Sequence, residues 1–186
     1  MVTTIYLVRH AHSVYSLDEV NRPLSEEGFK DASQVSYAMN KEQIDIVVSS
    51  PYKRAIQTVE GIASHIRKEV VLQPAFRERK LSEEPLENFE DALRKVWSDE
   101  EFFWGGGESN LTARQRGILG IHHVLEQYKG KRIVIGTHGN IMILIMSAYD
   151  PRYDFHFWRK LDMPDIYQLT FEEKDLIGIK RIWTPS

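Results

Sequence analysis

The chain has 186 residues, 42% hydrophobic and 27% charged, an ordinary globular composition with enough length for one domain and a well-buried core. A formal net charge of −3 provides no global field to collect DNA or RNA, so a phosphorylated ligand must be held by a local cluster of cations. There is no cysteine, which removes disulfides, thiolate nucleophiles and zinc-thiolate sites together and fits a reducing, cytoplasmic setting.

The elements follow in chain order. Four short β-branched runs read as strands: Thr3–Val8, Ile44–Val48, Val70–Gln73 and Arg132–Gly136. Between them the patterns are mostly helical. The first helix is expected from Ser25 to Met39, with Ser25 as N-cap and Glu26 and Glu27 at the positive end of the dipole. Gly28 inside it costs about 1 kcal/mol relative to alanine, which points to close packing there. The second is expected from Pro51 to Arg67, capped by Ser50, with a buried stripe that includes Ala55, Val59, Ile62 and Ile66. A weaker helix is expected over 86–97, a long one from Ser109 to Tyr128 stopped by Gly130, and another after Gly139. The tail reads as two strands, Ile166–Phe171 and Leu176–Trp183, forming a hairpin at a sheet edge.

Apolar runs that do not alternate imply strands buried on both faces. Strand–helix alternation then implies an α/β fold: a three-layer α/β/α sandwich with a mostly parallel central sheet. With no repeat and no linker, residues 1–186 read as a single domain. The N-terminus lacks the basic and apolar regions of a signal peptide. The longest apolar run, Ile141–Met146, is too short to span a bilayer, so no membrane partner is expected.

Three segments each begin where a buried strand ends: Arg9-His10-Ala11-His12-Ser13, Ser49-Ser50-Pro51-Tyr52-Lys53-Arg54 and Thr137-His138-Gly139-Asn140. In open α/β sheets the crevice at the strands' carboxyl ends is the usual ligand site, so the three should converge. Lys53 and Arg54 lie near the positive pole of a helix dipole, which is unfavourable unless an anion binds there. Their other reading is that both extend into solvent. Arg9 beside a buried strand needs a partner. Its planar fork suits a phosphate, although an ion pair with an acidic residue would also serve. Together Arg9, Arg54, His10 and His138 would place two guanidiniums and two imidazoles around one point, a cage for the charge of a phosphoryl group in transfer.

Histidine can also be the attacking group. Its attacking nitrogen must be neutral, and the other should donate to a backbone carbonyl to fix the tautomer. The leaving alkoxide needs a proton, which a carboxylic acid at the rim can supply. Glu78, after the third strand, is the candidate; Glu83, Glu84 and Glu108 compete with it, and Glu78 could instead pair within its charged loop. Tyr15, Phe102, Phe103 and Trp104 fall in segments expected to flank the crevice and could form an apolar lid, or the last three could be helix-end core. Phe155, Phe157 and Trp158 read as core or a dimer face.

These residues resemble the histidine phosphatase superfamily, also called the phosphoglycerate mutase-like family. Leu7-Val8-Arg9-His10-Ala11-His12-Ser13 resembles its Arg-His-Gly opening, and Pro23-Leu24-Ser25-Glu26-Glu27-Gly28 its Pro-Leu-Ser/Thr-x-x-Gly helix start. Ser49 to Thr58 is similar to its Ser-Ser-Pro-x-x-Arg-Ala-x-Gln-Thr segment, and Gly106-Gly107-Glu108-Ser109 and Thr137-His138-Gly139 to its later motifs, all in family order. The resemblance implies catalysis with no metal or cofactor, His10 as nucleophile, and Arg9, Arg54 and His138 around the phosphate, with His138 also catalytic. It implies Glu78 as proton donor. Where the family often carries a phosphate-touching asparagine, this chain has Ser16, a shorter candidate ligand. Ala11 replaces a glycine and adds a methyl group beside the pocket.

The expected activity is hydrolysis of a small phosphomonoester by a monomer or homodimer, with a mutase-type phosphotransferase as the alternative. The short stretch between Glu78 and Ser109 favours hydrolysis. Two rivals differ in class. A metal-dependent hydrolase would use His10 and His12 with His122, His123 and Asp45, against which stands the cation Arg9 beside the ligand. A phosphate-binding protein without turnover would keep the cage and lose the chemistry.

Overall fold

The structure, a computed structural model, describes residues 1–184. Its strands are β1 (Val2–Arg9), β2 (Ile46–Ser49), β3 (Val71–Leu72), β4 (Arg132–Thr137), β5 (Asp165–Glu172) and β6 (Asp175–Arg181). Its helices are α1 (Glu26–Met39), α2 (Lys53–His65), α3 (Phe89–Ser98), α4 (Asn110–Gln127), α5 (Gly139–Ser147) and the short α6 (Phe155–Trp158). The strands form one sheet in the order β3-β2-β4-β1-β5-β6. The first four are mutually parallel; β5 runs antiparallel to β1, and β6 closes the edge as the expected hairpin.

Side chains along β1 alternate between two cores, as the pleat requires. Ile5 and Leu7 join Ile133, Ile135 and the apolar faces of α4 and α5. Tyr6 and Val8 join Val134, with Val35 and Met39 of α1 and Val59 and Ile62 of α2. Helices therefore cover both faces of a mostly parallel sheet, the three-layer arrangement. Among the described residues, no helix is long and apolar enough to cross a membrane.

The sheet register positions the site. Gly136 pairs with Val8 on one side and Ser49 on the other, and Thr137 pairs with Arg9. The residues that follow, His10, Ser50 and His138, therefore emerge at one level of one edge.

Helix ends largely follow the capping residues. Ser25 accepts from the Gly28 N–H at 3.0 Å and Ser109 from the Thr112 N–H at 3.1 Å. The start of α2 differs from expectation. Its first helical residue is Lys53 rather than Pro51, and Tyr52 caps it without a side-chain bond. The Ser50 hydroxyl accepts from the Tyr52 N–H at 3.2 Å, capping the turn that leads into α2, and also lies 2.8 Å from His138 Nε2, while the Lys53 N–H donates to the Val20 carbonyl at 2.9 Å. The short α6 escaped the sequence reading.

Gly28 is packed as its cost implied. A Cβ there would overlap the carbonyl of His12. Gly28→Ala gains about 1 kcal/mol of helix propensity but forces α1 away from the 10–13 loop, at a cost of roughly 1–3 kcal/mol or more. A lower Tm is expected; an unchanged or higher Tm would show that the loop yields freely.

Candidate active site

His10 leaves β1 almost fully buried, 6% exposed. Its Nδ1 lies 2.7 Å from the Ala11 carbonyl. A carbonyl only accepts, so the neutral ring carries its proton on Nδ1 and keeps a lone pair on Nε2. Arg54 Nε approaches that nitrogen at 3.3 Å. Burial, then the charges of Arg54, Arg9 and Arg22, push the His10 pKa down to about 3, while the Ala11 carbonyl opposes them. The imidazole is therefore neutral across the ordinary pH range.

His138 is fully buried, its ring centroid 5.2 Å from that of His10. Burial first, then the neighbouring His10 and Arg54, hold its pKa well below the usual histidine value. Its Nδ1 is buried and has no hydrogen-bond partner among the described residues.

The guanidinium of Arg9 is anchored by Nη1, which donates to the carbonyls of Leu161 and Asp162 at 3.1 Å each. Its Nε is buried and has no hydrogen-bond partner among the described residues. Arg54, 2% exposed, is one of the largest fully buried side chains. It donates through Nη1 to the Glu19 carbonyl at 2.6 Å and through Nη2 to the Glu19 carboxylate at 3.1 Å. Burial lowers both arginine pKa values, which leaves them charged all the same. Arg9, His10, Arg54 and Glu78 all face one cleft of about 980 Å³, and His138, fully buried beside His10, is not part of its lining.

Glu78 sits at the N-terminus of α5. Its carboxylate accepts from the backbone N–H groups of Arg79 (2.8 Å), Ile141 (3.0 Å) and Asn140 (3.1 Å), and from Asn140 Nδ2 at 3.3 Å. The loop that presents it is tied down twice. Thr137 Oγ1 donates to the Phe76 carbonyl at 2.9 Å, and Arg116 donates to the carbonyls of Ala75 and Arg77. Arg116 in turn forms a two-bond pair with Glu108, at 2.8 and 2.7 Å. Glu108 is thereby committed to holding this loop, whereas Glu83 reaches the cleft and Glu84 is exposed.

Other expectations need correction. Ser16 is not brought to the cage: its hydroxyl accepts from the Asp18 N–H at 3.1 Å to close a turn, and Tyr15 and Leu17 face the cleft in its place. The Ala11 methyl does not crowd the pocket, because it packs with Leu24 and Ala32 under the loop. Phe102 and Trp104 pack on each other, ring centroids 5.0 Å apart, away from the cleft. The apolar rim comes instead from Leu17, Leu81, Phe89 and Met163, and Trp158 also reaches the cleft. His12 bonds Ser25 at 2.8 Å and Asp45 accepts from the Arg132 N–H at 2.9 Å. Among the described residues, no three His, Asp or Glu side chains group closely enough to hold a metal ion.

The sequence reading missed two residues. Arg22 and Glu19, in the loop between β1 and α1, both face the cleft, and Arg22 Nη1 meets Glu19 Oε1 at 3.1 Å. No periodicity marks that loop; the only signal was an arginine directly before the Pro-Leu-Ser helix start.

The chain has relatives among known proteins. The family model of the histidine phosphatase superfamily (branch 1) matches residues 5–177. A metal-independent phosphoserine phosphatase of Arabidopsis thaliana is 28% identical over 76% of this chain and 66% of its own length. Phosphoglycerate mutase-like protein 4 of the same plant is 30% identical over 78% of this chain and 69% of its own. The chain thus spans about two thirds of the length of these plant relatives. A mycobacterial glucosyl-3-phosphoglycerate phosphatase superimposes with a TM-score of 0.78 over 97% of both chains at 18% identity, a likeness of fold. With the family model covering nearly the whole sequence and its motif residues gathered at one edge of the sheet, this chain belongs to the histidine phosphatase superfamily.

Proposed function

We propose that this protein hydrolyses small phosphomonoesters through a covalent phosphohistidine on His10, with no metal ion. The observation that carries the reading is the His10 geometry: Nδ1 committed to a carbonyl, Nε2 neutral and facing Arg54 in a cationic cleft. Nε2 attacks phosphorus in line with the ester oxygen, and the P–O bond breaks as the N–P bond forms. Arg9, Arg54 and His138 stabilise the equatorial oxygens. Glu78, which takes up a proton from solvent as the phosphoryl dianion enters beside it, gives that proton to the leaving alkoxide. In the second half, the Glu78 carboxylate takes a proton from water as that water attacks the phosphohistidine, releasing phosphate and restoring His10. Residues 1–186 are read as one such domain, since one six-stranded sheet organises the described residues and the site segments follow its strands.

The name of one relative, a metal-independent phosphoserine phosphatase, supports the reading. The cleft volume of about 980 Å³ fits a small-molecule substrate. The test is acid-free intact mass analysis during turnover with excess chelator. Sustained turnover and an added phosphoryl mass localised to His10 are expected. Loss of activity on chelation, or a phosphoryl group on another side chain, would overturn the reading.

The assignment of Glu78 has its own check. Glu78→Gln should slow alkyl phosphates roughly 10²–10³-fold, and p-nitrophenyl phosphate, whose leaving group needs no proton, far less. Equal slowing of both classes would assign the proton to another group, Glu83 first.

A further inference from the structure

The loop between β1 and α1 places a carboxylate where an anion would bind. Glu19 Oε1 lies 3.1 Å from Arg22 Nη1 and Oε2 lies 3.1 Å from Arg54 Nη2. Two anionic oxygens shared between two guanidiniums reproduce the pattern by which arginines recognise a phosphoryl group. The loop that presents them is ordered. Asp18 accepts from the Asn21 N–H at 3.0 Å and from its side-chain amide at 2.8 Å, and the Val20 carbonyl accepts from the Lys53 N–H. Arg22 is largely buried, and its Nε, shielded from solvent, has no hydrogen-bond partner among the described residues. The Glu19 side chain, by contrast, is 54% exposed and has water to move into.

A carboxylate and a phosphoryl dianion on the same two cations repel each other strongly in a partly buried site. We propose that Glu19 is a built-in competitor for the phosphoryl group, and that Arg22 joins Arg54 as a phosphoryl ligand once Glu19 is displaced. The proposal rests on the phosphatase reading and deepens it. Its consequence is selectivity: a ligand must out-compete an internal carboxylate, which a phosphoryl dianion does and a monovalent anion does not. The internal pair also keeps both guanidiniums oriented before substrate arrives.

Calorimetric titration with inorganic phosphate separates this role from a structural one, because the two predict opposite signs. If Glu19 competes, Glu19→Gln binds phosphate about tenfold tighter than wild type, the order expected for releasing a pair of partly exposed ion pairs. Adding Arg22→Met to that variant removes the gain. If Glu19 merely orders the loop, Glu19→Gln binds phosphate equally or more weakly, and the proposal fails. That failure, with wild type still binding phosphate and forming phosphohistidine, would leave the phosphatase reading intact. Absence of phosphate binding in every variant would overturn both.

Discussion

Replacing His10 with alanine is expected to abolish turnover, with kcat/KM falling by at least about four orders of magnitude, or about 5.5 kcal/mol of transition-state stabilisation. The size follows from the step that is lost. Without Nε2 there is no covalent intermediate, and water would have to attack a phosphoryl group whose surroundings were shaped around an imidazole. Binding should survive, because Arg9, Arg54 and Arg22 remain. Inorganic phosphate titrated into the variant by calorimetry therefore serves as a folding control. Turnover equal to wild type, with phosphate still bound, would sink the assignment of the nucleophile.

The depressed pKa of His10 adds a second, independent readout. The folded ring refuses a proton until about pH 3, while the unfolded ring takes one near 6.5. The unfolded state thus binds more protons between those values, so folding stability is fully present above about 6.5 and falls as the pH drops through that window. His10→Ala removes this contribution, and its Tm should decline less steeply than wild type from pH 7 to pH 4. Parallel declines would mean that the ring is not held neutral.

Arg54→Met is expected to produce the second largest loss, roughly 10²–10³-fold in kcat/KM, by analogy with the removal of one donor from a preorganised anion site. Methionine keeps much of the stem's volume and removes only the fork. The guanidinium touches His10 Nε2 at 3.3 Å and is fixed at its far end by Glu19, so it stands beside the bond being made. Its loss should appear in kcat as well as KM, because charge on the transferring group grows toward the transition state. Lysine at this position should recover little, since a single ammonium cannot span the same two directions. A variant with wild-type kcat and only a raised KM would demote Arg54 to ground-state binding.

Much of the site could be read from the chain because its residues sit in fixed offset from buried strands. Val8 and Gly136 end apolar runs, and the polar residues that follow can only emerge at the sheet's edge. Glu78 was named from its place after the third strand and singled out from Glu83, Glu84 and Glu108 through a resemblance, since nothing in the loop 76–80 distinguishes one charge from the next. Arg22 and Glu19 were missed because they lie on an irregular loop, where no period ties a residue to a direction in space. Ser16 and the Ala11 methyl were misjudged for the same reason: which way a loop side chain turns depends on a turn hydrogen bond or a small cluster formed with α1.

Sequence alone determined the layered fold, the hairpin at the edge and the placing of His10, Ser50 and His138 just past neighbouring strand ends, because apolar periodicity dictates which faces are buried and strand ends dictate where polar residues surface. Only the tertiary structure decided the contact of Ser50 with His138 and the bridging of Arg54 and Arg22 by Glu19. Ser50 with His138 and Glu19 with Arg54 are contacts between segments distant along the chain, set by which donors and acceptors lie within about 3 Å once the sheet is assembled, and no local pattern encodes that distance.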